Sequence, residues 1–318
     1  AWVSASPETV PHFSAVGYFF ARALYQEYGV PIGLISTAIG GTPVQAWMSR
    51  DALAGFPAYL DEAEQCAVDG YVESVQAKEQ QALDEWHHKL NEADLGLRSS
   101  PHWYSQAYLG DNVWRTLKIP CKWSDVEELR GLIGAVWFRR TFYLPKSLAG
   151  KPARLHLGTI VDSDVTYLNG QEVGTTGYQY PPRRYQVPAG LLKDGENVLA
   201  LRVVSNNGNG EFIQEKPYEL EVDGTVIDLT GDWQYKIGAA VEEAMPPITF
   251  FHYKPMGLFN GMIAPLVNYA LKGVIWYQGE SNTGSPGDYC ALFSRMIADW
   301  RAKWKSPELP FLYVQLAN

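Results

Sequence analysis

The chain has 318 residues but only three cysteines (Cys66, Cys121, Cys290), too few and too scattered for a disulfide framework or a cysteine metal knuckle. It has no cluster of basic residues, and 26 Lys plus Arg against 35 Asp plus Glu give a formal charge of −9. That balance argues against a protein that grips nucleic acid or anionic lipid. No apolar run approaches the ~20 residues needed to span a bilayer. The opening AWVSASPETV shows neither a charged n-region nor an apolar h-region, which leaves the compartment open. Low-complexity tracts and internal repeats are absent too. What the chain has in quantity is apolar material, 46% against 19% charged, enough for a sizeable core. It also carries 11 Trp, 19 Tyr and 12 Phe. Aromatics in this number suit either carbohydrate clefts or a large β-rich core.

Two textures alternate along the chain. Residues 1–108 read as α/β. Over 11–28, Phe13, Val16, Phe19, Phe20, Leu24 and Tyr28 keep close to helical spacing, and Gly29 follows as a stop. Residues 30–36 (VPIGLIS) form a short apolar run, the pattern of a strand buried on both faces. Residues 58–93 read as one or two exposed helices. From 111 to 238 the pattern changes to short β-branched strands broken by turns, with Leu168-Asn169-Gly170-Gln171 as a hairpin signal. This predicts an antiparallel sandwich inserted into the α/β domain, its two ends close together. After residue 240 the α/β texture returns: 272–277 (KGVIWY) and 311–316 (FLYVQL) as strands, with a helix over 289–303 that places Leu292, Met296 and Trp300 on one face. VPIGLIS, KGVIWY and FLYVQL are expected to share one parallel sheet.

Two polar segments follow expected strands, at the end where open α/β sheets place their sites. Gly40-Gly41-Thr42 reads either as a tight turn needing positive φ or as backbone that approaches a ligand closely. Gln278-Gly279-Glu280-Ser281-Asn282 crowds amide, carboxylate and hydroxyl groups directly after an apolar strand, as a polar loop or as a site. Other motifs fail. Gly279-Glu280-Ser281-Asn282-Thr283 lacks the second glycine of a nucleophile elbow. Asp84 and His87 have Asp-x-x-His spacing but lie on an exposed helix. His12, His102, His156 and His252 are isolated, so no metal site is expected. Arg183 and Arg184, after Tyr180-Pro181-Pro182, read as an exposed loop ion pair that could alternatively clasp a carboxylate.

Residues 35–47 (ISTAIGGTPVQAW), 258–266 (LFNGMIAPL), 275–282 (IWYQGESN) and 309–318 (LPFLYVQLAN) resemble the bacterial sialate O-acetylesterases of the SGNH-hydrolase superfamily. Residues 134–173 resemble the jelly-roll sugar-binding domain of family 2 glycosidases. The resemblance implies a flavodoxin-like three-layer α/β/α domain interrupted by an antiparallel β-sandwich, and serine-esterase chemistry with no cofactor or metal. Its catalytic set on this chain would be Gly40 or Gly41 (a backbone N–H), Gln278 (a side-chain donor to the oxyanion) and Glu280. Thr42, Asn260, Ser281 and Asn282 would meet the sugar. The substrate implied is O-acetylated sialic acid or another acetylated glycan, and the location periplasmic or secreted. The family's Gly-Gln-Ser-Asn nucleophile block and a credible Asp-x-x-His block after Gln278 do not occur here. The expectation is therefore an internal piece of an esterase domain, inactive alone and completed by a companion polypeptide segment. Three other readings stand beside it: a non-catalytic carbohydrate-binding protein, an acetylxylan-type esterase and, last, a glycosidase, whose catalytic barrel of ~250 residues would not fit.

Overall fold

The computed structural model describes residues 2–108 and 110–316; Ala1 and the last two residues of the LPFLYVQLAN block, Ala317 and Asn318, lie outside the described residues. The chain forms two compact units, one of residues 1–77 with 248–318 and one of residues 78–247. In chain order the helices are α1 (Ala15–Tyr28), α2 (Arg50–Leu53), α3 (Pro57–Cys66), α4 (Tyr71–Ala93), α5 (Leu95–Arg98) and α6 (Pro286–Lys303). The first division falls inside α4, upstream of the change in sequence texture. The reason is packing: Trp86 and Leu90 of α4 are buried against Ala135, Val204 and Ala239 of the central unit.

The central unit is antiparallel. Its strands are β1 (Arg115–Ile119), β2 (Gly134–Leu144), β3 (Ala153–Leu157), β4 (Ile160–Val161), β5 (Ser163–Leu168), β6 (Gln171–Thr176), β7 (Arg184–Val187), β8 (Gly195–Ser205), β9 (Glu211–Phe212), β10 (Tyr218–Val222), β11 (Thr225–Asp228) and β12 (Gly231–Ala240). A six-stranded sheet runs β1-β12-β2-β8-β5-β6 and a four-stranded sheet β11-β10-β3-β7. The first strand pairs with the last, Arg115 opposite Tyr235, so the ends of the sandwich are adjacent. Strands β3, β7 and β10 bury alternate residues, as half-buried strands should. By contrast β2 and β8 are buried along most of their length. One face gives Val136, Phe138, Leu199 and Leu201 to the inter-sheet core, and the other meets the α4 cluster. The expected hairpin joins β5 to β6, with Asn169 at φ 52° and Gly170 at φ 86°. A type I′ turn needs both values positive.

The Arg183 expectation is overturned. Its guanidinium is completely buried and its Nε donates to Asp164 Oδ1 at 2.8 Å. Its other nitrogens donate to the carbonyls of Gln179, Pro181, Ile160 and Asp162. A loop that turns inward leaves its carbonyls without water, and one five-donor side chain satisfies several of them together. Burial pushes the Asp164 carboxyl up, opposed by the guanidinium beside it.

In the other unit α1 ends at Gly29 in the left-handed conformation (φ 65°). Strands β13 (Val274–Trp276) and β14 (Phe311–Tyr313) pair in parallel. On one face Trp276 joins Leu292, Met296 and Trp300 of α6 and the Val44–Trp47 turn in a buried core. The predicted face of α6 is the one that packs. The expected third strand is a correction: residues 30–36 pair with no strand among the described residues. An apolar run reports a preference for burial, but a strand exists only where a neighbour takes up its backbone groups. Val30, Ile32 and Ile35 are exposed instead.

Candidate active site

The α/β unit brings residues 40–45 against residues 278–282, although more than 230 positions separate them. After β13, Gly279 takes φ 155°, and Glu280–Asn282 form one 3-10 turn, from which the side chains of Gln278 and Ser281 reach Thr42 and Gly41 and that of Asn282 reaches Val44 and Gln45. Gln278 Nε2 donates to the Thr42 carbonyl at 3.1 Å and to Asn282 Oδ1 at 2.7 Å. The hydroxyl of Ser281 donates to the Gly41 carbonyl. Asn282 is buried; its Oδ1 also accepts from the Val44 N–H at 3.0 Å, and its Nδ2 donates to Gln45 Oε1 at 3.1 Å.

These bonds separate braces from free groups. Both hydrogens of the Gln278 amide are engaged within the protein, so donation to a substrate requires exchanging at least one of them. Asn282 and Thr42 are likewise committed: Thr42 is buried, its hydroxyl donating to the Ile39 carbonyl at 2.8 Å and accepting from Trp47 Nε1 at 3.0 Å. Among the described residues the N–H groups of Gly40 and Gly41 meet no acceptor. Gly41 sits at φ 75°, and a Cβ there would lie 2.5 Å from the Tyr253 hydroxyl, so a side chain is excluded on two counts. The Glu280 carboxylate is exposed. Asn260 is exposed on a turn whose neighbours Phe259 and Ile263 are buried with Val44 and Trp47.

Two tyrosines complete the arrangement and were not singled out from the sequence. Tyr253 Oη donates to the Gly40 carbonyl at 3.0 Å. Tyr289, on the first turn of α6, donates to Gln278 Oε1 at 3.0 Å. Their sequence signal was weak, since each is one tyrosine among 19. Beside Gln278 lies a cavity of about 500 Å³ whose lining includes Trp276, Tyr289, Phe293, Tyr313 and Leu316. Among the described residues no serine hydroxyl is bonded to a histidine, and no cluster of His, Cys, Asp and Glu could hold a metal. His87 is on α4, in the other unit, where burial and Arg202 pull its imidazole below its ordinary pKa.

Residues 251–318 match the family model for carbohydrate esterase, sialic acid-specific acetylesterase. A 69-residue stretch is 56% identical to the sialate O-acetylesterase of Homo sapiens, covering 19% of this chain and 13% of that protein. Another, of 110 residues, is 31% identical to a β-galactosidase of Bacteroides ovatus, covering 31% of this chain and 13% of that protein. A Faecalibacterium prausnitzii β-glucuronidase structure aligns over 32% of this chain and 18% of its own, at 24% identity and a TM-score of 0.27. The chain thus matches only a small part of each curated relative. It joins a segment similar to the sialate O-acetylesterases to a stretch similar to glycosidases such as β-galactosidase and β-glucuronidase.

Proposed function

We propose that this chain is part of a carbohydrate O-acetylesterase that removes acetyl groups from O-acetylated sialic acid. The observation that supports it most is the pair of unengaged N–H groups at Gly40 and Gly41, next to a Gln278 amide, within a unit that carries the esterase family match. Donors fixed by their own loops suit the charge that develops on an attacked acetyl carbonyl. In acyl transfer a serine oxygen adds to that carbonyl and its proton passes to a base. The tetrahedral oxyanion is held by the glycine amides and by Gln278 after it exchanges a bond. The sugar hydroxyl leaves with the proton, and water then releases acetate from the serine. Glu280, Asn260 and Ser281 would meet the sugar. Thr42 and Asn282 would act by holding the loops.

The nucleophile and base would come from a companion polypeptide segment, which would also complete a three-layer α/β/α domain. The parallel pair β13–β14 supports that reading. Ile275 and Leu312 are ladder partners, yet both are exposed, whereas parallel sheets are stable with both faces covered.

The test is turnover of 4-nitrophenyl acetate and of O-acetylated sialic acid by the 318-residue chain, with and without a segment bearing a Gly-Gln-Ser-Asn block and an Asp-x-x-His block. The expected result is no enzymatic turnover alone and serine-inhibitor-sensitive turnover when completed. Saturable sugar binding without turnover in the completed form would favour the non-catalytic reading, which the full engagement of Gln278 also fits.

A further inference from the structure

A glutamine side chain is a planar amide with an acceptor on one end and two donors on the other. Turning it by 180° exchanges them at almost no cost in shape. Which end of Gln278 faces the Gly40–Thr42 segment is therefore decided by its partners alone. On the donor end stand two acceptors, the Thr42 carbonyl and Asn282 Oδ1. Asn282 is itself fixed, because its Oδ1 takes the Val44 N–H while its Nδ2 serves Gln45. On the acceptor end stands one donor, the Tyr289 hydroxyl, 3.0 Å from Oε1 and 3.3 Å from the Gln278 carbonyl. The Tyr289 ring has little freedom: it is part-buried on α6 and stacked on Phe293, with centroids 5.7 Å apart and planes within 10°.

We infer that Tyr289 is the positioning residue for Gln278, holding Oε1 away from the Gly40–Thr42 segment so that only N–H groups face the place where an acetyl oxygen would sit. The inference rests on the esterase reading for its purpose but not for its geometry. When a substrate oxygen arrives, Gln278 must release Thr42 or Asn282 to donate to it. The Tyr289 bond is the contact that need not break in that exchange, so it keeps the amide from turning over meanwhile. Burial also raises the Tyr289 phenol above its ordinary pKa, which keeps the hydroxyl a donor across the working pH range.

Tyr289→Phe removes the hydroxyl and leaves the ring. The first readout needs no catalysis: the side-chain NH₂ resonances of Gln278 in the full chain labelled with ¹⁵N-glutamine. They should lie away from free-glutamine positions and exchange slowly with water in the natural chain, and move towards free-glutamine positions with faster exchange in Tyr289→Phe, with the backbone spectrum otherwise unchanged. The second is kinetic, in the completed enzyme. Tyr289→Phe should lower kcat about fivefold to tenfold with KM within about twofold, the size of one hydrogen bond lost in the transition state. In a Gln278→Ala background the same change should cost nothing further, because the residue acts only through Gln278. Unchanged Gln278 NH₂ resonances in Tyr289→Phe would overturn the inference. So would an equal kinetic loss in the Gln278→Ala background. Should the completed natural enzyme show no turnover at all, the esterase reading fails while the NMR readout still decides the positioning role.

Discussion

The sandwich and the α/β unit handle their polar and apolar groups in opposite ways. In the sandwich the inter-sheet core is closed, and even its inward-turning loop carbonyls are satisfied by the buried Arg183. In the α/β unit one side of β13–β14 packs on α6, while on the other Ile275 and Leu312 are open to solvent at 38% and 55%. Phe19 and Tyr25 of α1 and the run at residues 30–36 add to that exposed apolar surface. The difference teaches that a unit can be well packed around one seam and still leave apolar side chains elsewhere uncovered.

The largest expected effect tests the closed side. Arg183→Met should destabilise the sandwich by about 3–5 kcal/mol, because it leaves the Asp164 charge buried with only the Thr166 and Tyr185 hydroxyls beside it and several carbonyls without a donor. Urea denaturation followed by tryptophan fluorescence measures it, and adding Asp164→Asn should recover part of the loss. A loss below about 1 kcal/mol would mean that the loop relaxes to water and that the sandwich is less closed than described.

Gln278→Ala comes next and acts on the open side. In the completed enzyme kcat should fall by about 10²–10³ with substrate binding largely kept, the usual cost of one oxyanion donor. Its partners are neutral and partly reached by water, so its effect on stability should be about 1–2 kcal/mol, smaller than that of Arg183. Near-normal turnover would reduce Gln278 to a loop brace.

Leu312→Gln sharpens the contrast by doing almost nothing. On an exposed face it should shift the stability of the chain by no more than about 0.5 kcal/mol. The same substitution should weaken assembly with a companion segment severalfold, measured by titration calorimetry. A large destabilisation of the chain alone would show that this face is already covered in solution.

The smallest effect is a pH slope in the sandwich unit. The imidazole of His87 sits below its ordinary pKa, chiefly through burial and then through Arg202. Its unfolded value is ~6.5, so on acidification the unfolded state takes up this proton first. The resulting stability is present above ~6.5 and is lost as the pH falls through the lower folded value. The denaturation midpoint should therefore drop less between pH 7.5 and 5 in His87→Gln than in the natural chain.

The sequence by itself determined whatever rests on neighbours close in the chain. The Asn169-Gly170 turn follows from the two residues best able to hold positive φ, and the Gly29 stop from the same freedom. The buried face of α6 follows from the 3.6-residue period that aligns Leu292, Met296 and Trp300. The two candidate segments, 40–42 and 278–282, stood out in the sequence as a glycine pair and as a crowd of polar groups, each after an apolar run. Only the tertiary structure decided partners far apart in sequence. Residues 30–36 have the composition of a strand but pair with none among the described residues, since a ladder needs a second chain segment at hand. Arg183 has the composition of a solvated loop residue, yet Asp164 and the carbonyls folded around it make burial favourable. Tyr289 and Tyr253 look like any tyrosine until the fold sets their hydroxyls on Gln278 and Gly40. A hydrogen bond is short and directional, so only three-dimensional placement, never composition, can assign it.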